Sequence, residues 1–166
     1  DGGYLLSGQT SSGVSGDKTQ DSRGGNDYWA VKIDAGGNKV WDKRFGGSAS
    51  DGWSDVTATL DGGYLLLSGS YSGANGDKSE AGSGDADFWA VKVDANGSKL
   101  WDKTYGGSGD DSRLNVISTS DGGYLLAGDS QSGAGGDKSE PSQGDKDYWV
   151  VKIDADGAKI WDKSFG

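Results

Sequence analysis

Residues 55–60 (DVTATL) alternate between apolar and polar side chains and are rich in β-branched types, which predicts a strand. Asp61-Gly62-Gly63 breaks the pattern, and two glycines supply positive φ without steric cost, so a tight turn follows. Residues 64–70 form a second predicted strand, residues 71–86 a long polar loop, and residues 88–94 (FWAVKVD) a third strand. Asp94-Ala95-Asn96-Gly97 places Asp first and Gly fourth, the preferences of a type I turn. Residues 99–105 (KLWDKTY) complete the set, and Gly106-Gly107 ends it. With the four strands labelled A to D, the connections A–B and C–D are short and B–C is long. That is the pattern of an up-and-down antiparallel sheet.

In strand C, Trp89, Val91 and Val93 share one face, and Phe88, Ala90 and Lys92 share the other. Neither face is strongly polar, so this sheet is expected between two neighbours rather than with one wet side. The neighbours are in the chain itself. Asp1-Gly2-Gly3-Tyr4-Leu5-Leu6 returns at Asp61 and at Asp121, Trp29 returns as Trp89 and Trp149, and Trp41-Asp42-Lys43 returns at Trp101 and Trp161, always sixty residues on. A fixed long period means that each unit is one supersecondary module that buries its apolar faces against the next. The expected fold class is therefore all-β: β-propeller blades in one continuous repeat domain. Residues 1–53 form a blade lacking its A strand, 54–107 a second and 108–166 a third. Three blades do not close a ring, since propellers have roughly 4–8. The expected partner is the remainder of a longer chain, or another subunit, that completes the propeller. A β-solenoid is the alternative architecture.

Composition narrows the chemistry. Of 166 residues, 32 are glycine, yet seven Trp and seven Tyr stand at fixed places and supply buried area for a thin aromatic core. The net charge of −10 repels phosphate backbones and anionic lipid surfaces, so neither nucleic acid nor a membrane is an expected partner. Cysteine and histidine are both absent, which removes disulfides, Cys/His zinc sites and the commonest general base.

The C–D hairpin VKIDAGGNKVWDKRFGG at residues 31–47 is similar to the repeat of quinoprotein-like propellers. The whole unit, with DGGYLL, GDKSE, DYWVVKIDA and WDK followed by FG or YGG, resembles more closely the repeats of large extracellular proteins of Bacteroidota, many exported by type IX secretion. The resemblance covers the whole chain. It implies a propeller fold, a secreted or cell-surface location and contact with secretion machinery. It carries over no catalytic or cofactor-binding residue.

Candidate functional residues lie in the B–C loops (residues 16–27, 76–87 and 136–147) and the D–A loops (46–53 and 106–113), an acidic and hydroxyl-rich surface. Three readings stay open. The carboxylates Asp17, Asp27, Asp77, Glu80, Asp87, Asp110, Asp111, Asp137, Glu140 and Asp147 supply the hard oxygen ligands that calcium takes, although unit one has Gln20 where the others have Glu. The competing reading is that they accept local hydrogen bonds and shape the loops, with Asp17, Asp77 and Asp137 in equivalent environments. Trp53 and Tyr71, each found in one unit, are candidate recognition aromatics for a carbohydrate or peptide. The third reading is a fragment of a glycan-active enzyme, which needs two carboxylates at a set separation, such as Asp110 and Asp111. Catalysis is not expected, because the same surface recurs unit after unit. The repeated Trp residues are expected in the core. The Trp-Asp-Lys triplet is expected to form exposed charge pairs across strands, each contributing about 0.2–1 kcal/mol.

Overall fold

The computed structural model describes residues 2–166, apart from the side chains of Trp53 and Ser54. It is all-β, with no helix among the described residues. The first sheet holds β1 (Tyr4–Thr10), β2 (Asp27–Ile33) and β3 (Lys39–Phe45). The second holds β4 (Asp51–Ala58), β5 (Tyr64–Ser70), β6 (Asp87–Val93) and β7 (Lys99–Tyr105). The third holds β8 (Asp111–Ser118), β9 (Tyr124–Ser130), β10 (Asp147–Ile153) and β11 (Lys159–Phe165). Every pairing is antiparallel between consecutive strands.

Both short connections close as the glycine placement dictates. At the C–D turn the Gly97 amide donates to Asp94 O at 3.1 Å with Gly97 at φ +76°, a region that a side chain would strain. Asp94 Oδ1 also accepts the amides of Asn96 and Ser98 at 2.9 and 2.8 Å, so one side chain satisfies most of the turn. The A–B turn uses Gly62 in the same way, its amide donating to Thr59 O at 3.0 Å.

Strand A departs from expectation. It begins at Asp51 and Asp111, several residues before the alternating segment, and ends at Ala58 and Ser118. The added residues pair with the end of strand B through an irregular register between Gly52 and Asp55 and between Ser112 and Asn115. In β8 the irregularity is a bulge at Arg113, whose φ is +57°.

The sheets stack face to face. All seven residues of β6 are buried. Its two faces serve different cores, with Phe88 and Ala90 joining residues of the third sheet and Trp89, Val91 and Val93 joining residues of the first. Phe88 meets the Trp149 ring at 4.9 Å between centroids, and Trp41 meets Tyr64 edge-on at 6.4 Å. The A strands β4 and β8 lie against each other, and β1 lies against β4. Lys92, charged but buried, reaches the A–B turn and pairs with Asp61 at 2.7 Å. Lys152 repeats this with Asp121 at 2.9 Å. The hydrogen bonds from Lys92 and Thr59 hold the Asp61 carboxyl down at about 2.

Candidate functional site

The B–C and D–A loops share one end of the stack, and each B–C loop folds around a lysine that the candidate residues above do not include. Lys18, Lys78 and Lys138 are all buried. The Lys78 ammonium donates to Ser72 O at 2.9 Å, and that of Lys138 to Ser132 O at 3.0 Å and Ser142 Oγ at 2.7 Å. Lys18 donates to Ser12 O and, at 2.9 Å, to Ser22 Oγ. A buried ammonium is costly unless it is hydrogen-bonded, so these carbonyls define the loop path. Burial pulls the pKa of Lys78 and of Lys138 below the ordinary value, against the pull of nearby aspartates.

The aspartate preceding this lysine joins one unit to the one before. The Asp77 amide donates to Gly46 O at 3.0 Å, and the Gly46 amide donates back to Asp77 Oδ2 at 3.2 Å. Asp137 and Gly106 repeat the exchange at 2.9 and 3.3 Å. Asp77 also pairs with Arg44 at 2.5 Å and Arg23 at 3.3 Å. Asp17 is exposed, with no earlier sheet among the described residues to grip. The expected equivalence of Asp17, Asp77 and Asp137 is therefore corrected: only the second and third bridge two sheets.

Glu80 and Glu140 clip the loop to strand D of their own unit. Glu80 accepts from Lys103 at 2.7 Å and from the Thr104 amide at 3.2 Å, and Glu140 does the same with Lys163 and Ser164 at 2.7 and 3.3 Å. Gln20 takes the Arg44 amide at 2.9 Å, which explains how an uncharged residue fills this position: the amide needs an acceptor, not a charge.

Asp27, Asp87 and Asp147 are buried at the first residue of strand C. Their Oδ2 atoms accept the amides of Arg23, Ser83 and Gln143. Oδ1 of Asp27 and of Asp87 finds no hydrogen-bond donor and lies over the glycine after strand D. Burial, with Asp111 adding to it, pushes the Asp87 carboxyl from 3.8 up to about 6, and burial also raises Asp27 and Asp137. Asp111 was expected in the D–A loop. It instead opens β8, buried, and accepts the Gly107 amide and Ser132 Oγ, each at 2.8 Å. Asp51 is its counterpart in the second unit, binding Gly47 N at 2.7 Å and Ser72 Oγ at 2.8 Å. Asp110 remains on the loop, 4.0 Å from Lys146.

The Trp-Asp-Lys triplet also needs correction. Its aspartate is not an exposed partner. Asp102 is buried and accepts from Trp89 Nε1 at 3.0 Å, the Ser79 amide at 2.8 Å and Lys99 at 2.7 Å. It ties core, loop and strand together, and Asp162 repeats the set with Trp149, Ser139 and Lys159. At Asp162 burial alone would raise the pKa, but these donors outweigh it and hold the carboxyl at about 2.

These opposed shifts give a stability profile. Carboxyls raised by burial favour the fold most when protonated, so that contribution fades as pH climbs from about 4 through about 6. The depressed Asp61 and Asp162 contribute above about 4 and lose that contribution as pH falls toward about 2. The melting temperature is expected to rise from pH 7 to pH 5 and to fall below pH 4. Asp87→Asn should flatten the upper limb in a calorimetric pH series; an unchanged limb would disprove the assignment to Asp87.

Among the described residues, no group of three or more Asp, Glu, His or Cys side chains converges as a metal-binding set. Asp77, Glu80 and Asp87 each turn to a different partner. Where the first two sheets meet lies a cleft of about 220 Å³, lined by Gln9, Asn26, Ser50, Gly52, Gly69 and Tyr71. Gly52 and Gly69 pair across β4 and β5, and a Cβ on Gly52 would stand 2.0 Å from Gln9 Oε1, so glycine keeps this floor open. One unit on, the same positions are Gly69, Ala86, Asp110, Ser112, Asp129 and Gln131, with Arg113 3.5 Å from Asp129. Tyr71, about half exposed, stands at the cleft, whereas the Trp53 side chain lies outside the described residues. No family model and no curated protein matches the chain.

Proposed function

We propose that this chain is a non-catalytic β-propeller module of a secreted or cell-surface protein, with its repeats as scaffold and a cleft of unrepeated lining as binding surface. The observation that carries the reading is a division of labour at the loop end. The recurring carboxylates hold loop and strand together and, at Asp77 and Asp137, the neighbouring sheet, whereas the lining of the cleft at the first junction, made of amides, a hydroxyl and an aromatic ring, does not recur in the sequence one unit on. Four-stranded meanders stacked face to face, with their first strands meeting, support the propeller geometry. The location rests on the sequence resemblance.

An uncharged cleft with amide and hydroxyl groups beside a phenol ring suits a neutral saccharide or a short polar peptide. Calcium has less support, because the recurring carboxylates already face protein donors. The same fact weighs against a glycan-active enzyme, for which two carboxylates must flank one bond.

Screening the chain against a glycan array and a peptide library is expected to return weak binders without cleavage. Tyr71→Ala should weaken binding at least about tenfold, a loss of about 1.4 kcal/mol, with an unchanged melting temperature. Single Asp→Asn changes at 17, 77, 110, 111 and 137 should produce no all-or-none effect on turnover. Glycan cleavage abolished by one of them alone would overturn the non-catalytic reading.

A further inference from the structure

The two internal junctions share a frame of recurring charges but differ in their arginines. At the first, Arg44 is buried, with Nε 3.6 Å from Asp27 Oδ2 and Nη1 2.5 Å from Asp77 Oδ2 of the next sheet. Arg23 adds a contact to Asp77 Oδ1 at 3.3 Å. Two guanidinium groups therefore balance two carboxylates. Sixty residues on, Asp87 and Asp137 hold the same places, but Ser83 and Thr104 stand where the arginines were.

Nearby charges do not make up the loss, because they recur. A loop lysine and a further aspartate lie near each first carboxylate, Lys18 and Asp51 by Asp27, Lys78 and Asp111 by Asp87. Lys99 donates to the Asp77 carbonyl, and Lys159 to that of Asp137. Lys146 turns to Asp110 instead. Around its pair of carboxylates the second junction is thus two positive charges short of the first.

The oxygens at this place lack partners. Asp87 is 0% exposed, and its Oδ1 finds no donor among the described residues. That oxygen stands against Gly106, 1.7 Å from where a Cβ would be, and the Gly106 amide donates to Asp137 Oδ2 at 3.3 Å. Carboxylates from neighbouring sheets therefore meet at one glycine. Thr104 Oγ1, on the residue that replaces Arg44, is buried and also without a partner among the described residues. Asp27 Oδ1 lacks a donor too, but there Arg44 answers the charge at the other oxygen. A buried charge left unpaired is costly, and burial accordingly raises the carboxyls of both Asp87 and Asp137.

We propose that the second junction binds a hard divalent cation, of the calcium class, where the first holds the Arg44 guanidinium, with Asp87 and Asp137 as charged ligands and Thr104 Oγ1 as a neutral one. These two carboxylates belong to adjacent sheets, unlike the set within one loop, whose members turn apart. A divalent ion restores the two missing charges, and calcium accepts carboxylate, hydroxyl and water oxygens in a flexible shell. With so few protein ligands the affinity is expected in the weak range, about 10⁻⁴–10⁻³ M. The ion fastens the third sheet to the second as Arg44 fastens the second to the first.

Nitrogen-15 NMR of the chain at neutral pH, titrated with calcium chloride to about 10 mM, roughly tenfold above that range, tests the site. The amides of Ser83, Thr104 and Gly106 are expected to shift and to saturate together. In Thr104→Arg the guanidinium takes the place of the ion, and these shifts vanish. In the double variant Arg23→Ser, Arg44→Thr the same site is made at the first junction, and the Gly46 amide joins those that move. Spectral dispersion establishes that the variants are folded; if Thr104→Arg is not, Ser83→Arg takes its place. The proposal is overturned if the Ser83 and Gly106 amides stay in place at the highest calcium concentration, or if their shifts survive the introduced arginine. Equal shifts with sodium chloride at matched ionic strength, or shifts confined to exposed loop amides, overturn it as well.

Discussion

Trp89→Ala is expected to cost about 3–5 kcal/mol, a large part of the roughly 5–15 kcal/mol that holds a typical domain. Trp89 is buried between the first and second sheets, and its indole N–H donates to Asp102 at 3.0 Å. Removing the ring opens a cavity in a fully covered β6 and deprives a buried carboxylate of a donor. Trp29→Ala removes the same residue from the same place in the repeat, yet should cost less than half as much. Trp29 is only half-buried on the uncovered face of the first sheet, and its bond to Asp42 is longer, at 3.3 Å. Urea titrations of the two variants measure the difference. Equal losses would mean that position in the stack does not matter and that each unit is stabilised from within.

Gly106→Ala is the second large effect. A Cβ there would stand 1.7 Å from Asp87 Oδ1 and 2.9 Å from Asp87 Cβ, so the carboxylate would have to leave its place. Oδ2 of that group accepts the Ser83 amide at 2.7 Å, and moving it strands a donor in the loop. A cost of about 2–4 kcal/mol is expected from the clash and the lost acceptor together. Gly133→Ala provides the control, because nothing lies within 4 Å of its added Cβ. That change should be neutral or stabilise by up to about 1 kcal/mol through the unfolded chain. Melting temperatures that fall equally in both variants would show that glycine at 106 serves flexibility rather than space.

The regular part of this fold was legible in the chain because strand periodicity and turn chemistry agree. Residues 64–70 and 99–105 alternate or carry β-formers, glycines stand at 62 and 97 where φ must be positive, and the strands end there. The two-sided burial of β6 was legible from the lack of a polar face. The early start of strand A was not. The segment GGSASDGW has no apolar alternation, and it pairs because the Asp51 side chain gathers Gly47 and Ser72 around it, a cause that lies in tertiary contacts. The loop lysines were hidden for a related reason. A lysine between Asp and Ser or Thr reads as solvated until carbonyls from its own loop are seen to converge on it. The fixed spacing of Lys18, Lys78 and Lys138 was the available signal, and Asp42, Asp102 and Asp162 offered the same one. The cleft depends on a pair of facing glycines, Gly52 and Gly69, and no local pattern announces a hollow made by side chains that are missing.

The joint between units has a consequence for how such arrays change over generations. Asp77 and Asp137 grip the N–H and C=O of Gly46 and Gly106, groups that every peptide bond offers. That half of the joint reads main chain, whereas the pairs from Arg23 and Arg44 to Asp77 belong to one neighbour and have no counterpart at Ser83 and Thr104. Unequal recombination in register, gaining or losing sixty residues at a time, would leave the main-chain exchange whole without a compensating substitution. Surface positions such as 71 are then free to diverge from unit to unit while the count of units drifts.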